Sequence, residues 1–263
     1  MKYYVVSDLH GFYTPFKNKL QEVGFFHETQ PCKLILCGDL LDRGNEANEL
    51  IDFMMQLVEE DKLIYILGNH EELFIECLQK IARGGVYDIA VGMSHHHSNG
   101  TWDTLLQISG MSASEACENP HELVRSCMRS PFYQKLFPLA VDYYETPHYI
   151  FTHGWIPCFA DDDQACGPYH QYDPNWREAD LSSWMRARWL VGIDMACKHH
   201  ILEPNKTIVC GHRTASYGHS KIDHNGTLWG KSAIFSEFEA EGILAIDACT
   251  AESGQVNCIV IED

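Results

Sequence analysis

The stretch KLILCGDLLDRG, residues 33–44, runs from apolar residues directly into a turn rich in charged side chains. A short apolar run that stops at a glycine is typical of a strand buried on both faces of a sheet. Four other runs stop at a polar cluster in the same way, namely 3–7, 63–67, 149–152 and 207–210. Ligands collect where parallel strands end at their carboxyl edge, so we expect these clusters to meet in space.

Between the first three of these runs, apolar residues recur with the 3.6-residue period of a helix. The first helix is predicted to begin with Thr14 as its N-cap and to end at Gly24, and the second to begin with Asn45 as its N-cap. Alternating strands and helices predict an α/β (α+β) fold whose sheet is covered on both faces. The runs 242–247 and 255–261 are predicted to complete a second sheet.

The chain of 263 residues has no internal repeat, no low-complexity tract and no long linker. A length of this size fits one large domain, so we predict a single domain over residues 1–263. Two segments, about 72–137 and 155–200, interrupt the strand pattern with helical or irregular sequence. We expect these inserts to form a cap beside the strand ends.

Composition excludes several kinds of partner. Against 37 acidic residues stand 19 lysines and arginines, and the resulting net charge of −18 disfavours a nucleic-acid partner. No apolar run approaches the roughly 18 residues that a membrane-spanning helix needs, so no membrane association is expected. The 11 cysteines form no Cys-x-x-Cys pair and are predicted to be reduced thiols. Reduced thiols favour a cytoplasmic location.

The strand-end clusters contain the side chains that ligate transition metals. They read Ser7-Asp8-Leu9-His10-Gly11, Gly38-Asp39-Leu40-Leu41-Asp42-Arg43-Gly44, Gly68-Asn69-His70-Glu71, Thr152-His153-Gly154 and Gly211-His212-Arg213. Aspartate together with neutral histidine suits Zn, Mn, Fe or Ni, whereas a calcium site would use oxygen ligands alone. Six candidate ligands exceed what one open catalytic site uses, which indicates two metals.

Glycines flank these candidate ligands at four positions, Gly38, Gly68, Gly154 and Gly211. A tight turn from strand to loop often needs either a positive φ or a close approach of two backbones, and glycine permits both. We therefore expect positive φ angles at some of these glycines.

In this order the clusters resemble the motifs of the calcineurin-like metallophosphoesterases. The resemblance lies in the branch that contains phosphoprotein Ser/Thr phosphatases and bacterial diadenosine tetraphosphatases, and it extends from Asp8 to Asp247. It implies a four-layer β-sandwich of two mixed sheets flanked by helices. It also implies a two-metal site at the carboxyl ends of the strands and a helical cap insert.

The resemblance further implies roles for individual residues. The first metal would be held by Asp8, His10 and Asp39. The second would be held by Asp39, Asn69, His153 and His212, with Asp39 as the bridge. His70 matches the family's general acid, and Asp42 matches the carboxylate that orients it. Arg43 matches a phosphate clamp. Arg186 matches a second clamp less closely, with Arg188 as its alternative.

The function implied is the hydrolysis of phosphomonoesters by a hydroxide that two metals activate, with Mn as the expected ion and Fe, Zn or Ni as alternatives. The substrate would be a phosphoprotein or a nucleotide. A symmetrical bis(5'-nucleosyl)-tetraphosphatase is the alternative enzyme. A non-catalytic phosphate-binding scaffold is disfavoured because every ligand position and His70 are filled. The sequence leaves the oligomeric state open.

Two positions depart from the family's usual motifs and leave alternatives open. Trp155 follows the His-Gly pair, where it either stacks against substrate or packs in the core. Arg213 follows the Gly-His pair, where it either contacts phosphate or forms a surface ion pair. The segment Asn99-Gly100-Thr101-Trp102 resembles the family's cap loop beside the pocket.

Two further features have two interpretations each, and a third has one. The run His95-His96-His97 either binds a stray metal or lies in solvent. The aromatic residues Tyr169, Tyr172 and Trp176 form either a platform for a base or peptide, or part of the core. The run Asp161-Asp162-Asp163 is predicted to be a solvated loop.

Overall fold

The computed structural model describes residues 1–90, 94–160 and 169–263. The strands are β1 Lys2–Val6, β2 Cys32–Cys37, β3 Leu63–Ile66, β4 Tyr144–Glu145, β5 Tyr149–Phe151, β6 Cys158–Ala160, β7 Tyr169–Tyr172, β8 Thr207–Cys210, β9 Phe238–Ala240, β10 Ile243–Ala245 and β11 Ile259–Glu262. The helices are α1 Tyr13–Glu22, α2 Ala47–Glu59, α3 Asn69–Gly84, α4 Tyr87–Ala90, α5 His95–Ser98, α6 Thr101–Ser109, α7 Ala113–Glu118, α8 Pro120–Arg129, α9 Leu181–Leu190, α10 Ile193–His199, α11 Ala215–Tyr217 and α12 Thr250–Ser253.

Two mixed sheets form the centre of the molecule, and β6 with β7 forms a separate hairpin. The first sheet has the order β11-β1-β2-β3, with β1, β2 and β3 parallel. The second has the order β4-β5-β8-β10-β9, with β5, β8 and β10 parallel. The strands predicted before each polar cluster are thus confirmed. The prediction that the last run joins the second sheet is wrong, because β11 pairs antiparallel with β1 in the register Val5 to Ile259.

The layers follow from the alternation of side chains along the strands. On β1, Tyr3 and Val5 face the second sheet and pack with Val209, whereas Tyr4 and Val6 face the helices. The two sheets therefore pack face to face, with helices outside each, as the predicted four-layer β-sandwich. Each fully buried aliphatic side chain of such a core contributes roughly 1.5–3 kcal/mol.

The segments predicted as cap inserts also supply the outer layers. Cys77 of α3 and Trp102 of α6 belong to the core over the first sheet. Trp184 of α9 and Ile193 of α10 belong to the core over the second sheet. The helices that reach the strand ends are therefore anchored in the main body of the protein.

Two predicted helix caps are wrong, because long-range contacts fix where the helices begin. α1 begins at Tyr13, and the hydroxyl of Thr14, inside the first turn, donates to the carboxylate of Glu46. Glu46 itself occupies the N-cap position of α2, so Asn45 lies outside the helix. The predicted end of α1 is confirmed, since Gly24 follows its last turn with a left-handed φ of 82°.

Among the helices of the described ranges, none is long and apolar enough to cross a membrane. The run Asp161-Asp162-Asp163 lies outside the described residues, as does the side chain of Tyr169.

Candidate metal centre

The loops after the strands hold several candidate ligands in a strained backbone conformation. Asp8, His10, Asp39 and His212 have φ angles between 47° and 63°. The left-handed region costs a non-glycine residue about 1–2 kcal/mol, and such residues concentrate at functional sites. The left-handed conformation turns the chain away from the strand direction, so that these four side chains lie close together. The sequence predicts positive φ at some of four glycines, and of these four only Gly38 has it, at 80°.

The other glycines are required for close approach. A Cβ atom on Gly68 would overlap the Oδ1 atom of Asp39, and one on Gly211 would overlap the Oδ2 atom of Asp8. Likewise, a Cβ on Gly154 would overlap the carbonyl oxygen of Ala187. The missing side chains thus let the backbone approach candidate ligands at Gly68 and Gly211, and the backbone of α9 at Gly154.

Asp39 lies between two groups of candidate ligands. Its Oδ2 atom is 3.6 Å from Nε2 of His10 and 3.9 Å from Nε2 of His70. Its Oδ1 atom is 3.4 Å from Nε2 of His153 and accepts the backbone N–H of His70 at 3.0 Å. Two clusters that could each hold a metal share this carboxylate, His10 with His70 on one side and His153 with His212 on the other.

Hydrogen bonds to backbone carbonyls fix the imidazole tautomers in the second group. Nδ1 of His153 lies 2.9 Å from the carbonyl of Cys37, and Nε2 of His212 lies 3.1 Å from that of Trp189. A carbonyl only accepts, so these nitrogens carry the protons and the other nitrogen of each ring has a free lone pair. Both lone pairs point at Oδ1 of Asn69, at 2.8 Å and 3.0 Å. Three electron-pair donors that meet without a shared proton fit a bound cation.

The first group follows the same rule. Nδ1 of His10 lies 3.1 Å from the carbonyl of Leu41 and so carries the proton, which leaves the lone pair of its Nε2 to accept a hydrogen bond or to bind a cation. Oδ1 of Asp8 is 3.9 Å from that nitrogen. The guanidinium of Arg43 lies at this edge, with Nη1 at 2.8 Å from Nε2 of His10 and Nη2 at 3.2 Å from Nε2 of His70.

The electrostatics of the pocket favour cations. Burial, reinforced by the nearby Asp247 and Asp39, raises the pKa of Asp8 well above its ordinary value. Burial raises the pKa of Asp247 to about 6. Burial also lowers the pKa of His10 and holds that of His212 at about 3, so both rings stay neutral. Crowded carboxylates beside neutral imidazoles are stabilised by positive charge.

Sequence reasoning missed Asp247 as a site residue. Its side chain is buried and its carboxylate accepts the backbone N–H of Cys249 at 2.6 Å. The available signal was its place directly after an apolar run, which it shares with Asp8. No histidine or flanking glycine accompanies it, and the pattern therefore looked like the end of an ordinary strand.

His70 and Asp42 form a buried pair at the edge of the first group. Nδ1 of His70 lies 2.8 Å from Oδ2 of Asp42. Burial alone would lower the pKa of His70, but the charges of Asp39 and Asp42 hold it above its ordinary value. The hydroxyls of Thr101 and Thr104, at the start of α6, donate to the same Asp42 carboxylate.

Within the described residues, neither candidate second clamp makes a hydrogen bond to a candidate ligand. Arg188 is buried in an ion pair with Glu72 and Asp142. Arg186 is half-buried, near Cys158, and its Nε atom has no hydrogen-bond partner among the described residues. Arg43 contacts the candidate ligands directly, whereas Arg188 is bound by Glu72 and Asp142. Burial lowers the pKa of His153, and the charge of Arg188 adds to that shift.

The structure bears on the two positions at which the sequence departs from the family's usual motifs, and on Trp176. Trp155 is buried and donates from its indole to the carbonyl of Ile201, so it packs in the core. Arg213 is part-exposed and its Nε atom lies 3.9 Å from Oδ1 of Asp194, which favours the interpretation as an ion pair. Trp176 is buried in the same core as Trp155 and donates to Glu203.

The three consecutive histidines differ in exposure. His95 and His97 are exposed, whereas His96 is fully buried, so the run does not lie wholly in solvent. The ring of His95 lies beside that of Trp189, with centroids 6.3 Å apart. No group of metal-ligating side chains was found around this run in the ranges that the structure describes.

Fold and site together define a protein with two adjacent groups of buried candidate metal ligands at the carboxyl ends of the strands of two packed sheets. A family model for calcineurin-like phosphoesterases matches residues 1–243, and the chain belongs to this family. Membership implies divalent metal ions, which the ligand groups described above fit.

Several curated proteins are similar to parts of the chain. The asymmetrical bis(5'-nucleosyl)-tetraphosphatase PrpE of Anoxybacillus flavithermus is 34% identical over 76 residues, which are 27% of this chain and 31% of that protein. The symmetrical bis(5'-nucleosyl)-tetraphosphatase of Thioalkalivibrio sulfidiphilus is 41% identical over 71 residues, 27% of this chain and 25% of that protein. The PrpE of Bacillus velezensis is 23% identical over 142 residues, 52% of each. The chain thus spans about a quarter to a half of the length of these relatives.

A solved protein serine/threonine phosphatase from Saccharomyces cerevisiae is also similar. It has a TM-score of 0.47 and 13% sequence identity, and the match covers all of this chain and 80% of that one. A likeness at this level carries no argument about function.

Proposed function

We propose that the protein is a metal-dependent phosphoesterase that hydrolyses phosphomonoesters, in the manner of a Ser/Thr protein phosphatase. The observation that carries the proposal is the pair of candidate ligand groups that share Asp39, the first with His10 and His70 and the second with His153 and His212. The family match over residues 1–243 supports the same activity and a single domain over residues 1–263.

The proposed ligands are those expected from the sequence. Asp8, His10 and Asp39 would hold the first metal. The second metal would be held by Asp39, Asn69, His153 and His212. Two cations held there would supply the activation of water and the polarisation of the phosphoryl oxygens. Nitrogen ligands mixed with carboxylates suit Mn, Fe, Zn or Ni, and we expect activity with Mn.

The chain's own residues supply the rest of the reaction. Arg43 is exposed at the mouth of the site, where its planar fork binds a pair of phosphoryl oxygens. His70 donates a proton to the leaving oxygen from Nε2, while Asp42 holds the proton on Nδ1. Arg186, which lies half-buried near Cys158, is proposed as a second phosphate contact, as the sequence predicts.

A second candidate is the hydrolysis of dinucleoside polyphosphates. The carbonyl of Trp189 anchors His212, and its indole lies 6.3 Å from the ring of exposed His95, with the planes 33° apart. A nucleobase stacks on such aromatic faces, so this pair offers a base site next to the second ligand group. The buried Trp155 offers none.

In both cases the substrate is a phosphoester of a protein or a nucleotide. We also propose a reducing, cytoplasmic compartment, because the cysteines in the described ranges are free thiols.

The test compares three substrates with purified protein and Mn. We expect metal-dependent release of phosphate from p-nitrophenyl phosphate and from a phosphoserine peptide. A preference for diadenosine tetraphosphate, weakened by Trp189→Ala, would favour the second candidate. His70→Asn is expected to keep its metal and lose most turnover. A protein that hydrolyses none of the three substrates with any of the four metals contradicts the proposal.

A further inference from the structure

The carboxylate of Asp42 is fully buried and receives hydrogen bonds from three side chains. Its Oδ2 atom accepts from Nδ1 of His70 at 2.8 Å and from the hydroxyl of Thr101 at 2.7 Å. Its Oδ1 atom accepts from the hydroxyl of Thr104 at 2.8 Å. The oxygen of Thr104 in turn accepts the backbone N–H of Asp42 at 3.1 Å. The backbone N–H and the carboxylate of Asp42 are therefore both hydrogen-bonded to threonines of α6, a helix of the first insert.

The two threonines lie on one face of α6, because residues three apart in a helix are neighbours. The helix can begin here because Gly100, with a left-handed φ of 86°, packs directly on the backbone of Arg43. The helix itself is fixed by Trp102 and Leu105, which are buried in the core over the first sheet. Its positive N-terminal end also faces the carboxylate of Asp42.

We propose that Thr101 and Thr104 are positioning residues, which orient Asp42 and through it the imidazole that protonates the leaving oxygen. The inference rests on the proposed function and deepens it. A buried carboxylate that loses a hydroxyl donor turns to recover a partner, since an unsatisfied buried acceptor is costly. Oδ2 is shared between Thr101 and His70, so such a turn misaligns the imidazole. Helix α6 would thereby determine how fast the enzyme hydrolyses esters that have a poor leaving group.

The effect is specific for the leaving group. An alkoxide such as that of serine is a strong base and needs a proton as it departs, whereas 2,4-dinitrophenolate departs without one. General acid catalysis contributes about 10²–10⁴-fold where the proton is needed. We expect a misaligned acid to retain part of that, so Thr101→Val would lower kcat for a phosphoserine peptide about 10–100-fold. For 2,4-dinitrophenyl phosphate we expect a change of less than about 3-fold.

The experiment measures kcat and KM for both substrates with the Mn-loaded full-length protein. Valine has the shape of threonine without the hydroxyl, so Thr101→Val and Thr104→Val are the test variants. Thr101→Ser keeps the hydroxyl and should restore most of the phosphoserine activity. Thr146→Val is the matched control, because Thr146 also donates to a carboxylate, that of Asp263 at 2.5 Å, but outside the catalytic cluster. The control should change neither substrate's kcat.

A second measurement does not depend on turnover. In the Zn-loaded protein, which is diamagnetic, the proton on Nδ1 of His70 should give a low-field NMR resonance through its bond to Asp42. We expect that resonance to shift or broaden in Thr101→Val but not in Thr146→Val.

Three outcomes would overturn the inference. One is an equal loss of kcat on both substrates in the Val variants, and another is a serine variant as impaired as the valine variant. The third is an unchanged His70 resonance in a folded Thr101→Val protein. Wild-type protein that hydrolyses neither ester would remove the proposed function itself, and the inference with it.

Discussion

Replacing Arg188 with methionine tests whether this arginine ties the structure together or binds phosphate. Its side chain is 1% exposed, with Nη1 2.6 Å from Asp142 and Nε 3.2 Å from Glu72. Nη2 also contacts the Glu72 carboxylate. The ion pair joins α9 to α3, the helix that carries Asn69. Methionine keeps much of the apolar volume and removes the charge and every hydrogen bond.

The expected loss of stability depends on how far water can hydrate the Glu72 and Asp142 carboxylates once the arginine is gone. Removing one partner of a fully buried pair costs about 3–5 kcal/mol. The Glu72 side chain is 19% exposed and that of Asp142 is 37% exposed, so water compensates part of the loss. We therefore expect Arg188→Met to lower the free energy of unfolding by about 2–3 kcal/mol. For a chain of this size that corresponds to a fall in Tm of roughly 5–10 °C.

Urea unfolding of the metal-free protein provides the assay, with inhibition by inorganic phosphate as the second readout. Arg186→Met is the matched control, because Arg186 is half-buried two positions away and its Nε has no partner among the described residues. We expect that variant to leave the free energy of unfolding unchanged. The reasoning is refuted if Arg188→Met unfolds like wild type and yet binds phosphate much more weakly.

Two further substitutions test other parts of the account. In Gly68→Ala the new Cβ would overlap the Oδ1 atom of Asp39, so we expect a folded protein with reduced metal content by equilibrium dialysis, and wild-type content would contradict this. Hydrogen bonds from Arg177 lower the pKa of Glu145 from 4.5 to about 2. Partial burial of Glu145 opposes this shift, and a hydrogen bond from Lys206 adds to it. A depressed pKa gives stability that is present above about pH 4.5 and lost as the pH falls toward 2. Glu145→Gln should flatten acid unfolding over that window by about 1–2 kcal/mol, and an unchanged profile would exclude this pairing.

The parts of the fold and site that sequence predicts are those encoded locally. Each predicted strand is an apolar run beside its own polar cluster, so Asp8, Asp39 and His212 could be placed at strand ends without knowing the partners. The convergence followed because parallel strands end at one edge.

The features that escaped prediction depend on distant partners. β11 looks like any alternating strand, and only its pairing with β1 assigns it to the first sheet. Thr101 and Thr104 reach Asp42 across 59 and 62 residues, and no local pattern marks that contact. Arg186 and Arg188 differ by two helical positions, which turns them to different sides, and the deciding partner Glu72 is 116 residues away.

Metal content tests the central claim most directly, namely that one shared carboxylate joins two cation sites. Wild-type protein and Asp39→Asn would be saturated with Mn, freed of excess ion and analysed by elemental analysis. We predict close to two Mn per wild-type chain and less than one per Asp39→Asn chain, because both ligand groups lose the same charged member. Wild-type protein without stoichiometric metal, or a variant that keeps both ions, would contradict the account.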